Sequence, residues 1–486
     1  MSERSFLRGL AALCGLVLLI YAPVWGASAL SWDDVVWLED PALELPWGPA
    51  LWRAWLGVHD GVVYPGLRAA WWVERWLTGP ELPAAHAVEL GLFVGLVGMV
   101  GRLALRWFGA GAGVGLAVAA WALAPQQVES VAWLTSRKDL LAVTLLVGAL
   151  TAEQAGWRRL GSALLLVGVL VKPPVWLVAV ALVGLAVAAG GSVWRSWAPA
   201  LTLGALVLGW SAALSVGSRL EGAAVTELLG RGLRLQGHWH LAAVGGIAPA
   251  AVYPEPAGAA LLGIGAMCSL GWVAWLRWGP GARSLRCAWA ALWWLPLLPY
   301  GGPLEMAFWG ADRHLLVPLA GLVGAIAMSL VGLEGRGRLL RLLLVGWVGW
   351  SAARSAVRVP AWRDDLALWG AEQRRPGEHW ARPFQLGMAL AKRGAFGDAA
   401  EAFVDSYRLR PADETAARLI VARLAAERWD AERHRVASTL VTAPGDARGW
   451  MEVSEALFGL GAREAASFAF EHCRARWGAA CQPVVR

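Results

Sequence analysis

The sequence predicts an all-α protein, a polytopic membrane unit of about 11 transmembrane helices followed by a small helical solenoid. Three observations carry that expectation. Hydrophobic residues make up 57% of the 486-residue chain and charged residues only 16%, whereas soluble domains carry about 25% charged residues. The long apolar runs, such as "LAALCGLVLLIYAPVWGASAL" and "AVELGLFVGLVGMVG", stop near residue 355. Beyond that point the chain is charged and amphipathic, and it repeats. The boundary is drawn between residues 1–358 and 359–486.

The first apolar run follows Arg4 and Arg8, and Ala27-Ser28-Ala29 has the small-residue form of a signal cleavage site. The run reaches from Leu7 to Leu30 and further spans follow, so it reads as a retained helix. The candidate spans are 7–27, 86–105, 109–124, 140–156, 160–172, 174–190, 197–216, 257–277, 287–300, 314–332 and 338–355, with 239–253 as a half-span. Several are short for a hydrocarbon core of about 30 Å, which implies little tilt or re-entry.

Alternate loops collect Arg4 and Arg8, Arg102 and Arg106, Arg158 and Arg159, Arg195, Arg277, Arg283 and Arg286, then Arg336, Arg338 and Arg341. Short arginine-rich loops mark the cytoplasmic side. The N-terminus is therefore expected inside. Loops 28–85, 125–139, 217–256 and 300–313 are expected outside, as is the C-terminal domain. The net charge of +7 is scattered across loops rather than gathered into a patch, so nucleic acid is not an expected partner. The Ala, Gly, Leu, Arg and Trp bias suggests a bacterial chain, with an inner-membrane location and periplasmic outer loops.

Residues 382–411 place Leu386-Gly387, Leu390, Ala399, Phe403, Ser406 and Pro411 at tetratricopeptide spacings. Small residues stand where paired helices touch, with an aromatic knob and a closing proline. Trp450, Leu457, Ala466, Phe470 and Cys473 form a second copy, and Pro444 falls one period after Pro411. We expect about three repeats over 377–478, whose concave face takes a peptide or simply caps the protein.

The outer loops hold the polar residues. Asp33 and Asp34 are adjacent and flanked by Trp32 and Trp37. Close like charges raise at least one pKa, which suits a general base; the plain alternative is a solvated helix end. Glu39 and Asp40 precede Pro41 and read as caps of the outer loop. "APQQVESVAWLTSRKDLL" concentrates Gln126, Gln127, Glu129, Ser136, Arg137, Lys138 and Asp139. Arg137 and Lys138 point outward against the positive-inside trend, so they serve an anionic ligand such as phosphate or pair with Glu129 and Asp139. Lys172 interrupts an apolar run before Pro173-Pro174, and either snorkels or faces a polar cavity. Glu305 and the run Asp312-Arg313-His314 follow, with Arg313 suited to a phosphate. His238 and His240 lack a third ligand, and the five cysteines lack metal-ligand spacing, so no metal site is expected. Cys473 and Cys481 either pair outside the cell or, for Cys473, pack in the core.

In order, "WDDVVWLEDP", "YPGL" at Tyr64–Leu67, "PQQVESVAWLTSRKDLL", "VKP", "DRHLLVP" and "WRDDLALW" resemble the TMTC-type family of transmembrane and tetratricopeptide-repeat glycosyltransferases. The resemblance covers nearly the whole chain and implies a GT-C fold. It implies transfer of a mannose-like hexose from a polyprenyl-phosphate carrier to a protein Ser or Thr hydroxyl on the extracytoplasmic face, with inversion. The family's paired acids fall on Asp34 and Asp33, with Asp34 the first choice as general base. Arg137, Lys138, Lys172 and Arg313 would steady the departing carrier phosphate, supported by Glu129, Tyr64 and Asp312. The chemistry is expected to need no resident metal or other cofactor, with room for a divalent ion on the two aspartates. The sequence departs from the family pattern in three places. Gln126-Gln127 replaces a histidine, "YPGL" lacks an arginine, and "RHLLVP" stands for "RYLYLP". These departures bear on acceptor and donor. A glycolipid or polysaccharide acceptor, or a non-catalytic membrane-anchored scaffold, are the competing readings.

Overall fold

The computed structural model describes residues 1–56, 58–59, 62–188, 194–214, 225–297, 310–331, 338–375, 377–427, 430–440 and 444–481. Glu305, and with it most of the expected loop 300–313, lies outside the described residues. The fold is helical, apart from a two-residue antiparallel pairing of Val58–His59 with Val62–Val63. Two compact units divide the chain, Met1–Asp364 and Asp365–Arg486.

The first unit opens with α1 (Glu3–Tyr21), α2 (Asp34–Leu38), α3 (Trp47–Leu56) and α4 (Pro65–Thr78). The helices α5 (Leu82–Phe108), α6 (Ala112–Ala122), α7 (Gln127–Ala132), α8 (Arg137–Gln154) and α9 (Arg158–Val171) follow. Then come α10 (Trp176–Ala188), α11 (Trp194–Leu214), α12 (Val225–Val244), α13 (Ala259–Trp278) and α14 (Arg283–Trp294). The helices α15 (Pro318–Val331) and α16 (Arg338–Arg358) complete the unit. Among the described residues, four helical segments are long and apolar enough to cross a membrane: Glu3–Gly26, Leu82–Phe108, Ala259–Trp278 and Asp312–Leu330. Within the described residues the other expected spans are largely helical too, but shorter or more polar; α6 has 11 residues and α9 has 14.

One expected loop holds an element the sequence reading did not name. Much of the supposed loop 217–256 is helix α12, a 20-residue element. Its Glu227, Arg231, Arg234, His238 and His240 dilute the apolar signal, which is why it reads as a loop. Its packing shows why it is a helix: a Cβ added at Gly237 would lie 2.2 Å from the Leu261 carbonyl oxygen, and one at Gly265 would lie 1.8 Å from that of Leu233. The backbones of α12 and α13 therefore touch through paired glycines, the contact small residues permit between membrane helices. Gly265→Leu is expected to force the pair apart and lower the melting temperature of the detergent-solubilised protein by several degrees, roughly the overpacking cost of 1–3 kcal/mol.

Long-range bonds gather particular helix ends on one side of the unit. Trp121 Nε1 donates to the Leu316 carbonyl at 2.9 Å and Ser355 Oγ to the Leu123 carbonyl at 2.9 Å. The Tyr21 and Phe93 rings meet edge-on at 5.6 Å. At other helix ends, Trp107 meets Trp289 at 6.0 Å, and Arg286 donates to the carbonyls of Leu276 and Gly279.

The second unit contains α17 (Asp365–Gln373), α18 (Ala381–Lys392), α19 (Phe396–Leu409) and α20 (Asp413–Glu427). It ends with α21 (Ala431–Thr439), α22 (Ala447–Gly459) and α23 (Arg463–Trp477). Gly387 faces the Phe403 ring, where an added Cβ would approach to 2.8 Å, so the absence of a side chain lets α18 and α19 close together. Asp430 and Asp446 cap α21 and α22, each accepting hydrogen bonds from backbone N–H groups of the first turn. Cys473 and Cys481 form a disulfide, and both are buried beside Trp450 and Leu457. Cys481→Ser is expected to destabilise this unit by about 2–3 kcal/mol, the loop-closure value for so short a bridge, as read by the denaturant midpoint under oxidising conditions.

Candidate functional site

Four buried carboxylates tie distant segments together at one end of the first unit. Asp34 is 1% exposed. Its Oδ2 accepts from the Leu30 N–H at 2.9 Å, while its Oδ1 accepts from the Thr135 N–H at 2.9 Å and the Thr135 hydroxyl at 2.7 Å. Glu129 on α7 accepts from the Arg313 N–H at 3.1 Å and pairs with the Arg313 guanidinium. Asp312 accepts from the Tyr253 hydroxyl at 2.5 Å and pairs with Arg358 at 3.0 Å. Asp139 pairs with Lys172. Each bond satisfies a charge that burial would otherwise make costly.

These ties bring Asp33, Asp34, Tyr64, Glu129, Lys138, Lys172, Asp312 and Arg313 into one region. Asp33 sits at the N-cap of α2 and is partly exposed, unlike its neighbour Asp34. The Lys138 ammonium lies 5.6 Å from the Tyr64 ring centroid, and among the described residues it enters no ion pair. Asp33, Asp139, Lys172 and Arg313 all act on it electrostatically. Trp32 and Trp133 stack at 4.5 Å with their planes 13° apart. The Arg313 guanidinium lies 4.9 Å from the Trp133 ring and 5.7 Å from that of Trp32.

Electrostatics separates the two aspartates further. Burial pushes the Asp34 carboxyl up to about 6, against the hydrogen bonds from Leu30 and Thr135 that favour its ionised form. Burial likewise pushes Glu129 to about 7, opposed by Arg313. Burial, followed by the charge of Lys172, brings Lys138 down to about 8. Asp34 is thus a closed-in anchor, and Asp33 is the carboxylate with a route to solvent.

Arg137, expected on the phosphate, is engaged inside the protein. It is 1% exposed, bonds Glu89 at 2.8 Å, pairs with Glu74, and donates to the Ala85 carbonyl at 2.6 Å. Its guanidinium also stacks 3.9 Å from the Trp71 ring centroid. Sequence reasoning missed Glu89, although a carboxylate within the apolar run "AVELGLF" is itself a signal. It also missed Thr135, Tyr253 and Arg358, which have no local signature. Asp40 caps the turn after it, accepting from the Ala42 N–H at 2.9 Å, and pairs with Arg68.

In the same unit, α12, α13, α15 and α16 frame an apolar groove of about 450 Å³, lined by His240, Trp272, Trp275, Ile326, Leu344 and Trp347 among others. Trp239, next to His240 in sequence, approaches the His314 ring at 6.2 Å. Among the described residues no cluster of three or more His, Cys, Asp or Glu is placed to hold a metal ion. No protein-family model, no curated protein and no solved structure matches the chain.

Proposed function

We propose that the protein is a membrane glycosyltransferase of GT-C type, akin to the TMTC family, that moves a hexose from a polyprenyl-phosphate carrier to a hydroxyl. The observation that carries this reading is that a partly exposed carboxylate, Asp33, and the cations Lys172 and Arg313 all act on the Lys138 ammonium, in a unit that also holds an apolar groove. A lipid-linked phosphosugar needs those three surfaces together.

In the proposed reaction Asp33 takes the proton of the acceptor hydroxyl. The acceptor oxygen bonds to the anomeric carbon as the bond from that carbon to the phosphate oxygen breaks, and the configuration inverts. The pair of electrons leaves with the polyprenyl phosphate, whose charge Lys138, Lys172 and Arg313 offset. Arg137 is not part of this group, since its charge is neutralised by Glu74 and Glu89. The acceptor in this proposal is a protein Ser or Thr on the periplasmic side of a bacterial inner membrane. The N-terminus is cytoplasmic, and the second unit is a short tetratricopeptide stack that holds the acceptor. Gly387 against Phe403 is the small-residue-to-aromatic packing a tetratricopeptide helix pair calls for.

The test is turnover by the purified protein in lipid nanodiscs with polyprenyl-phosphate mannose or glucose and a peptide acceptor. Sugar transfer dependent on the lipid carrier supports the proposal, and its absence with every carrier refutes it. Deleting 365–486 is expected to abolish transfer to protein; transfer to lipid surviving the deletion points to a lipid acceptor. A pH effect on donor binding also follows. Lys138 is protonated below about 8 and neutral above it. Donor affinity is therefore expected to fall as pH rises through 8, and Lys138→Ala to remove that step, measured as the KM for the carrier between pH 6.5 and 9.

A further inference from the structure

Three chain segments meet around Asp34. Its carboxylate is shut from solvent and holds the turn at Leu30 on one oxygen and both donors of Thr135 on the other. Leu30 precedes Asp33, and Thr135 lies one turn before Lys138. Asp33, next to Asp34, and Lys138, three residues after Thr135, are therefore held close in the chain to the two ends of one buried bond set, and Lys138 lies within electrostatic reach of Asp33. Trp32 stacking on Trp133 makes the same connection with aromatic faces. Behind Asp34 stand other charged groups. Glu89 on α5 is close enough to act on it electrostatically, and Arg137 pairs with Glu89.

We infer that Thr135 and Asp34 are positioning residues, whose hydrogen bonds set the Asp33 carboxylate against the Lys138 ammonium. The inference rests on the proposed glycosyl transfer for its kinetic consequence, but not for its geometry. Thr135 supplies two of the three donors that Asp34 accepts, and only its hydroxyl can be removed without cutting the backbone. Valine keeps the shape and loses that donor; serine keeps the donor. The Asp33 carboxylate needs to be held where an acceptor proton meets it, because small misplacements of a catalytic group are expensive in rate.

The experiment has two independent readouts. In the first, a water-soluble carbodiimide is added to the full chain in nanodiscs. It activates the Asp33 carboxylate, the Lys138 amine displaces the urea leaving group, and an amide bond forms with loss of the amine proton to solvent. Mass spectrometry of the linked peptides is expected to find the Asp33–Lys138 bond in the natural protein. The yield is expected to drop several-fold in Thr135→Val and recover in Thr135→Ser. In the second, kcat is expected to fall roughly 10- to 100-fold in Thr135→Val, with KM for the carrier nearly unchanged and Thr135→Ser close to the natural protein. Melting temperatures of both variants report folding. Absence of the link in the natural protein overturns the inference. So does a valine variant that keeps both its link and its kcat, or a serine variant that restores neither. If the link follows this pattern while no variant transfers sugar, the positioning stands and the glycosyl-transfer reading falls.

Discussion

Asp33→Asn is expected to lower kcat for sugar transfer by about 10²–10⁴-fold, the usual contribution of a positioned general base. The KM for the lipid carrier is expected to change little, because the phosphate is met by Lys138, Lys172 and Arg313. Asparagine keeps the size of the side chain, and the Asp33 side chain makes no capping bond to α2, so the variant is expected to fold and to melt within a few degrees of the natural protein. The measurement is single-turnover transfer from carrier-saturated protein, which separates the chemical step from binding. Asp34→Asn makes the useful contrast. The amide there has one acceptor oxygen where the carboxylate uses two, so one of its N–H groups must confront either Leu30 or Thr135. That variant is expected to lose stability as well as rate. Transfer that persists at the natural rate in Asp33→Asn would falsify the assignment of the base.

The second large effect is on stability. Arg137→Met removes the only cation between Glu74 and Glu89 among the described contacts and leaves Glu89, 0% exposed, without its counter-charge. Breaking a buried pair in this way costs about 3–5 kcal/mol, and the loss of the stack on Trp71 adds to it. The purified variant is expected to melt well below the natural protein or to fail to accumulate. Adding Glu89→Gln to Arg137→Met is expected to recover part of the loss, because the isolated charge is then gone. A single variant as stable as the natural protein would mean that Arg137 is free for a ligand after all.

The contrast between Arg137 and Lys138 shows which information the sequence held. Both are outward-placed cations in one short loop, and both were equally eligible for a phosphate or an internal pair. What divides them is the direction each side chain takes from the first turn of α8. Arg137 turns toward α4 and α5, where Glu74 and Glu89 wait; Lys138 turns toward Tyr64 and Asp33. Adjacent helical residues point about 100° apart, but the position of α5 relative to α8 is a tertiary fact. The same holds for Asp33 and Asp34, whose adjacency was legible while their division between exposed and buried was not. Helix α12 is hard to read for a different reason: its Glu227, Arg231, Arg234, His238 and His240 dilute the apolar signal, and a hydropathy reading sees them as loop. Gly387 with Phe403 was readable because both belong to one helix pair, close in sequence, where spacing nearly determines contact.

The carboxylate ties have a consequence for how the chain is made. The Asp34–Thr135 bond spans 101 positions, the Glu129–Arg313 pair 184, and the Ser355–Leu123 bond 232. A ribosome adding 5–20 residues per second needs roughly 10–40 s to travel from Glu129 to Arg313. Throughout that interval the nascent chain carries Glu129 without the arginine that neutralises it, and the last carboxylate tie, Asp312 to Arg358, waits for the end of α16. The polar site therefore closes only when the final helix of the first unit has emerged, and any product that stops short of it is born without that geometry.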